Sequence, residues 1–557
     1  MILMLNNIDN LNKTVKTVLA EHNLECEGTF LYSQYPEISD LQCNELLKYK
    51  ELPSLGVLKD KIQDKLLQLD EVENCEIKKD LFINVKLSNK FLECYINDSA
   101  LNYSALHKKL RNNNKKKILI DYGGPNIGKA LHVGHLRSLS IGRSLYLMNK
   151  LVGNEVVSDI HLGDWGMPVA YMIALIQKEE IDLSNIEYSE LEEIYPRSVK
   201  YAEKDKNFYE EAKKIARELN KENETYMEYW NKISSISINY IKETLDVVNH
   251  GFDRWFGEST VNSLINPMVE NLVKEGKILE DDGAKVANLN TEPPILIAKS
   301  DGSSLYITTD LATVIERDKD GFDEILYVVD NRQKKHFEQL FECVVYFNFS
   351  NARLVHVGFG TINGEDGKPL KTRDGGVYKL DKLYDDVREK LLANNTSEKS
   401  IDVMVNNILT FSDLMSNRNT NYKFDIEKFT DTNGKTAIYL DYTYARAAKV
   451  YKDLKELNIE KKEASGISIT NSVERELVIE ISKFKYYLDM SVLSNEPHHV
   501  ANYIYVLARK INVFYEDQKL TSLLWEEAST KLLLLKSSLT VLKTGMESIG
   551  ITPVGKI

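Results

Sequence analysis

The sequence predicts an α/β protein: a doubly wound parallel-sheet core, preceded by an α+β N-terminal region and followed by an all-α C-terminal region. Three observations predict it. Residues 117–160 run strand, glycine- and proline-rich turn, amphipathic helix, strand, which implies a parallel pair with a right-handed crossover. Short apolar strand-like runs then recur as far as Gly360, several ending in polar residues, as the crevice of an open α/β sheet requires. Beyond about residue 378 strand signals disappear and helical periodicity continues to Gly550.

The bulk properties bound the class. A chain of 557 residues exceeds what one core supports, so several domains are expected. With 43% hydrophobic and 28% charged residues, the composition is that of a globular protein and excludes a disordered one. The opening MILMLNNIDN lacks the basic flank and apolar core of a secretory signal. No apolar stretch approaches the roughly 18 to 20 residues a spanning helix requires, so no membrane partner is expected. The five cysteines are scattered, odd in number and without a C-x-x-C pair, which argues against a disulfide framework and against structural zinc. A cytoplasmic protein is expected. The net charge of −13 is uneven: from Arg446 onward 16 Lys and Arg face 14 Asp and Glu, a net +2, leaving −15 on the rest. The tail therefore permits a nucleic-acid contact.

In chain order, residues 1–110 mix helical periodicity with strand-like runs such as Leu81–Leu87, and form an N-terminal domain. The run RNNNKKK, residues 111–117, breaks that pattern and reads as a solvated tether, with a phosphate contact near the site that follows as the sharper alternative. A strand over Lys117–Tyr122 leads through a Gly-Gly-Pro-Asn turn to a helix opening near His132. Ile141, Leu145, Met148 and Val152 form its apolar stripe, and Gly153-Asn154 stops it. Glu155–Ile160 is the next strand. Residues 170–280 are mostly helical and highly charged, and read as an insertion between sheet halves with no chemistry of its own. Strands are expected at Pro294–Ile297, Leu305–Ile307, Ile325–Val329 and Leu354–Gly360, followed by the loop NGEDGKPLKTRDGG. The body thus spans 111–377, a helical connecting region 378–440, and a helical domain 441–557.

Chemistry concentrates in DYGGPNIGKALHVGHLR, residues 121–137. His132 and His135 are three residues apart at a helix start, so both imidazoles lean to one side, and Gly134 between them lets a flat ring approach the backbone. A strand–turn–helix of this kind is where a doubly wound sheet places a nucleotide phosphate. Zinc is a competing ligand for the two histidines, but no third donor stands at a convincing spacing. Lys368 and Lys371 lie on a glycine-flanked loop able to close over a polyphosphate, although taken alone it reads as an ordinary surface loop. Tyr306 and Asp310 are one helical turn apart and Asp121 closes the first strand; two carboxylates and a phenol suit a guanidinium, whose donors form a planar fork, although each acidic residue taken alone reads as a helix cap or surface charge.

These pieces, PNIGKALHVGHLRS, HLGDWG, LYITTDLA, ILYVVDNRQKKHF, HVGFG, GEDGKPLKTRDGG, LMSNRNTNYKFD and YLDYTYARA in this order, resemble arginyl-tRNA synthetases, class I aminoacyl-tRNA synthetases, over nearly the whole chain. HVGH stands where the class signature is usually HIGH. The second signature, KMSKS, appears as Lys368-Pro369-Leu370-Lys371-Thr372, with its lysines at the right spacing but without methionine and the first serine. The resemblance implies a Rossmann-type catalytic core, an N-terminal domain touching the tRNA elbow, and a helical anticodon-binding domain. It implies arginine activation by ATP, supplied with Mg2+, then transfer to the terminal ribose of tRNA(Arg), with tRNA needed for the first step. It implies a monomer and no tightly bound protein metal. Residue by residue, it puts His132, His135, Lys129, Lys368 and Lys371 in catalysis and Pro125, Asn126, Gly134, His135 and Lys371 at ATP. Asp121, Asn126, His161, Tyr306, Asp310 and Gln333 fall at arginine, with His161 at the pocket rim. Two alternatives compete. A nucleotidyltransferase of the same superfamily acting without tRNA would not need the helical tail. An inactive RNA-binding paralogue would show damaged signature residues, and both histidines, both loop lysines and the acidic pair are intact.

Overall fold

Five parallel strands form the central sheet of a computed structural model: β1 (Lys117–Asp121), β2 (Glu155–Leu162), β3 (Arg254–Gly257), β4 (Glu324–Tyr327) and β5 (Arg353–His356). Their order is β5-β4-β1-β2-β3. The chain therefore builds outward from β1 to one side and returns to build on the other. The switch falls between β1 and β4, where the crevice of an open α/β sheet opens beyond the carboxyl ends. Ile118, Leu119 and Ile120 of β1 and Ile325 and Leu326 of β4 are buried, as strands covered on both faces must be. The structure describes residues 8–555 except 27, 290–292, 300–304, 365–366, 369, 371–377, 395, 459–463 and 521–522.

Helix α1 (Val133–Leu151) makes the first crossover, with His132 as its N-cap. The expected stripe of Ile141, Leu145, Met148 and Val152 is wholly buried, and Gly153, at φ +93°, turns the chain into β2. Gly142 lets the helix settle on the turn after β1: a Cβ there would lie 2.2 Å from the ring of Tyr122.

The region read as an insertion holds helices α2 (Met167–Lys178), α3 (Tyr188–Lys204), α4 (Lys206–Asn220) and α5 (Glu224–Val247). They share a core of Met172, Ile173, Leu191, Phe208, Ile215, Leu219 and Ile233 with Ile127 from the turn after β1. Residues 254–257 fall within the expected helical insertion, but they form β3, the sheet edge; at four residues, RWFG carries too little pattern to announce a strand. After helix α6 (Asn262–Lys274) comes a small antiparallel sheet of Ile278–Asp281, Ala284–Ala287 and Leu296–Ala298. The expected strand at Leu305–Ile307 is instead the start of helix α7 (Tyr306–Asp318). The Leu-Tyr-Ile alternation imitates a strand, but the Leu305 N–H donates to Thr308 Oγ1 at 3.0 Å and starts a helix whose buried residues Ile307, Leu311 and Val314 follow its period. Helix α8 (Lys334–Phe347) then precedes β5. Beyond 378, where no strand signal was read, Tyr422–Lys423 pairs in parallel with Ile362–Asn363; two residues give no periodicity.

The described residues fall into two compact units, Asn112–Thr430 and Met1–Arg111 with Asp431–Ile557. The second unit joins the two ends of the chain. Its four-stranded antiparallel sheet (31–32, 41–43, 83–87 and 72–77) accompanies helices Ala437–Leu457, Ser472–Ser482, Phe484–Ser494, His498–Gln518 and Trp525–Ser548. Arg475 ties them by a bidentate pair with Asp40, at 2.7 and 3.1 Å, in which Asp40 is nearly fully buried. Among the described residues, no helix is long and apolar enough to cross a membrane.

Candidate active site

A cavity of about 970 Å³ opens at the switch point, lined from the carboxyl ends of β1, β2 and β4, the start of α1, and α7. At one end stands the histidine pair. His132 is extended (φ −133°), and its Nδ1 accepts the Gly134 N–H at 3.0 Å; His135 Nδ1 accepts the His132 N–H at 3.0 Å. This is a capping box made of two imidazoles, their ring centroids 4.0 Å apart. Because each Nδ1 accepts, each neutral ring carries its proton on Nε2. Burial first and the neighbouring His132 second push His135 down to about 3; burial, then Lys129 and Arg332, lower His132. The pair therefore works as two neutral N–H donors beside a helix N-terminus, an arrangement suited to phosphate oxygens. Gly134 is required by the pair itself, since a Cβ would stand 2.8 Å from the His132 ring.

The turn is locked to the segment after β2. Gly163 N–H donates to Pro125 O at 2.9 Å, Ile127 N–H donates to Gly163 O at 3.2 Å, and a Cβ on Gly163 would strike Asn126 Oδ1. Asn126 and His161 line the cavity, and among the described residues neither His161 nitrogen has a hydrogen-bond partner. Pro125 is buried and does not line it. Lys129 is also outside the lining; its ammonium stands 4.5 Å over the Tyr195 ring. Lys368 is not among the lining residues, whereas Leu370 is. Lys371 lies outside the described residues. Of the residues flanking 371–377, Leu370 N–H donates to Ile362 O at 3.0 Å, and Tyr378 O accepts from Val133 N–H beside the histidines at 2.9 Å.

The other end is acidic. Helix α7 presents Tyr306, Asp310, Thr313 and Arg317 along one face, and Gln333 follows β4. Tyr306 is 72% exposed, and its phenol has no hydrogen-bond partner among the described residues. Asp310 Oδ2 stands 2.5 Å from His336 Nε2. Asp121 lines the cavity, but its Oδ2 is held at 2.7 Å by the buried Arg317, which binds Asp159 at 2.7 Å as well. The cause is the sheet: Asp121 and Asp159 are register partners on β1 and β2, and two adjacent carboxylates need a cation between them. Asp121 thus spends its charge inside the protein.

Sequence reasoning missed Glu258, which follows β3 directly and lines the cavity. Burial, then Asp310, then Asp164 push its carboxyl up to about 8. Asp164 is itself satisfied by the Ser259 N–H at 2.9 Å and hydroxyl at 2.6 Å. Glu258 lacks any such partner among the described residues. A polar group at a strand's carboxyl end is a recognised signal, but it requires β3 to be seen first. One end of the cavity therefore offers N–H donors to an anion, and the other offers Glu258 and Asp310 to a cation. One group of metal-type donors, Glu496, His498 and His499, comes within 4.8 Å among the described residues. It lies at the start of helix His498–Gln518, where the helix dipole disfavours a cation.

Comparison with known proteins gives the following. The family model described as tRNA synthetases class I (R), catalytic domain, matches residues 98–426, and that of the DALR anticodon binding domain matches 440–557. The arginine–tRNA ligase of Alkaliphilus oremlandii is 34% identical, over 94% of this chain and 95% of its own. That of Francisella tularensis subsp. novicida is 34% identical over 93% and 94%. The fold matches the arginyl-tRNA synthetase crystal structures of Plasmodium falciparum (TM-score 0.80, 23% identity, 99% of both chains) and Thermus thermophilus (TM-score 0.80, 17% identity, 99% and 100%).

Proposed function

The chain belongs to the arginine–tRNA ligases, class I aminoacyl-tRNA synthetases, and from that premise we propose how its cavity divides the work. The reaction joins L-arginine to tRNA at the expense of ATP. In the first step arginine's carboxylate attacks the α-phosphate of ATP, giving arginyl-adenylate and pyrophosphate. In the second, the terminal ribose hydroxyl of tRNA(Arg) takes the arginyl group.

Glu258 and Asp310 clasp the guanidinium from two sides, with Tyr306 and Gln333 beside them and Asn126 at the amino acid's backbone. His161 stands at the rim. The Nε2–H groups of His132 and His135, with the N-terminus of α1, meet the phosphates, where negative charge builds during attack. Gly134 leaves room for adenine. Lys371, assisted by Lys368 and Lys129, neutralises the departing pyrophosphate, and ATP enters as its Mg2+ complex. Asp121 acts indirectly, through Arg317. The observation that carries this division is Glu258: a carboxyl pushed up to about 8, without a partner among the described residues, beside Asp310 in the same cavity as the histidine pair. A cation with donors on two edges answers that need, and arginine is such a cation. Residues 1–110 and 441–557 contact the tRNA, which is required for activation, and the enzyme works as a monomer. Retention of both histidines and the acidic end speaks against an inactive RNA-binding paralogue. The test is charging: purified protein with ATP, Mg2+ and total tRNA should transfer labelled arginine to acid-precipitable RNA, and failure to do so sinks the reading.

A pH dependence follows. Below about 8 Glu258 is protonated in the empty pocket, whereas an arriving guanidinium favours the carboxylate, so binding releases a proton. Arginine affinity should rise with pH, by up to about tenfold per unit, until the carboxyl ionises unaided near pH 8. Calorimetry in buffers of different ionisation enthalpy measures the released proton. Glu258→Gln should abolish it; release that persists in the variant removes Glu258 from the guanidinium site.

A further inference from the structure

The carboxylates around the cavity differ in how their charge is met. Asp121 and Asp159 share Arg317, Asp330 is held by Arg332 at 2.9 Å, and Asp164 is held by Ser259. Asp310 has one recorded partner among the described residues, the imidazole of His336 at 2.5 Å, and that contact takes Oδ2 alone. Both side chains are about one third exposed, at 32% and 29%, and both line the cavity. His336 stands in the first turn of α8, three residues after Gln333, so the two face the same side. Its ring meets Phe337 edge-on at 5.5 Å, and Phe337 in turn stacks on His356 at 5.1 Å and packs against Tyr327 at 5.1 Å. The imidazole is thus braced by a buried aromatic cluster while its Nε2 reaches into the site.

We infer that His336 is a specificity-determining positioning residue: it binds Oδ2 of Asp310, fixes that carboxylate, and leaves only Oδ1 for the substrate's guanidinium. The inference rests on the reading of this end of the cavity as the arginine pocket. A guanidinium is a rigid planar fork and gains most from acceptors held in fixed directions, whereas an ammonium adapts to a carboxylate in any rotamer. A braced Asp310 opposite Glu258 therefore rewards the fork. A free-swinging Asp310 would keep the charge and lose that preference.

The test is arginine-dependent ATP–pyrophosphate exchange with total tRNA present, alongside equilibrium arginine binding. His336→Leu should raise the arginine KM about tenfold, as expected for a lost polar contact in a recognition site, and leave the ATP KM within about twofold. His336→Gln, which keeps an N–H donor of similar reach, should restore the arginine KM to within about threefold. A merely structural residue would move both KM values and show no rescue. The double variant His336→Leu/Asp310→Asn should be no worse than Asp310→Asn alone, because the imidazole acts through that carboxylate. If the leucine variant does not fold, His336→Asn, too short to span the contact, takes its place. An unchanged arginine KM, absent rescue or additive losses would overturn the inference while leaving the arginine pocket standing. Wild-type protein with no arginine-dependent exchange would instead overturn the pocket itself.

Discussion

Asp310→Asn lowers kcat/KM for arginine on the order of a hundredfold, equivalent to about 3 kcal/mol, while the KM for ATP stays within about twofold. The substitution preserves shape and removes one charge. Asparagine still offers an oxygen and an amide to its surroundings, so the contact with His336 is not simply deleted. What is lost is half of the anionic clasp: Glu258 alone then faces a cation that has left water. The effect should be smaller than for a fully enclosed pair, because Asp310 is one third exposed and solvent screens part of its field. ATP–pyrophosphate exchange at varied arginine and varied ATP separates the two constants. Equal losses towards both substrates would mean that Asp310 supports the cavity as a whole instead of reading the amino acid.

The second large effect is on stability. Arg317→Met should destabilise the catalytic unit by about 3–5 kcal/mol, since removing one partner leaves buried charge uncompensated. Arg317 is 1% exposed, binds Asp121 and Asp159, and lies 5.4 Å from the Tyr327 ring centroid. Methionine fills much of the volume, so the loss is electrostatic. Adding Asp121→Asn and Asp159→Asn to Arg317→Met should recover most of it, because the unpaired carboxylates are then gone. Urea unfolding of the parent protein, the single variant and the triple variant reads this directly. A single variant as stable as the parent would show that the triad carries no net stability, and a failure of the triple variant to recover would place the loss in packing.

Parts of this site were legible in sequence because the signal was local. The histidine pair declares itself through its spacing, its glycine and the preceding Gly-Gly-Pro-Asn turn, and Tyr306 and Asp310 through their four-residue spacing. The α1 stripe from Ile141 to Val152 was readable for the same reason. Other features depend on tertiary neighbours and left no trace. Asp121 looked free for a ligand because nothing in sequence ties it to Arg317, which is 196 residues away. Glu258 was hidden by the brevity of β3, and His336 by the absence of any sign that the first turn of α8 faces α7. The strand reading of Leu305–Ile307 failed because three residues cannot distinguish period 2 from the opening of a helix.

The measurement that bears most directly on the whole account is ATP–pyrophosphate exchange with each proteinogenic amino acid in turn, with and without total tRNA. An acidic clasp made for a guanidinium predicts exchange with arginine alone, and the tRNA requirement proposed above predicts it only when tRNA is present. Exchange driven by any other amino acid would contradict the assignment of Glu258 and Asp310.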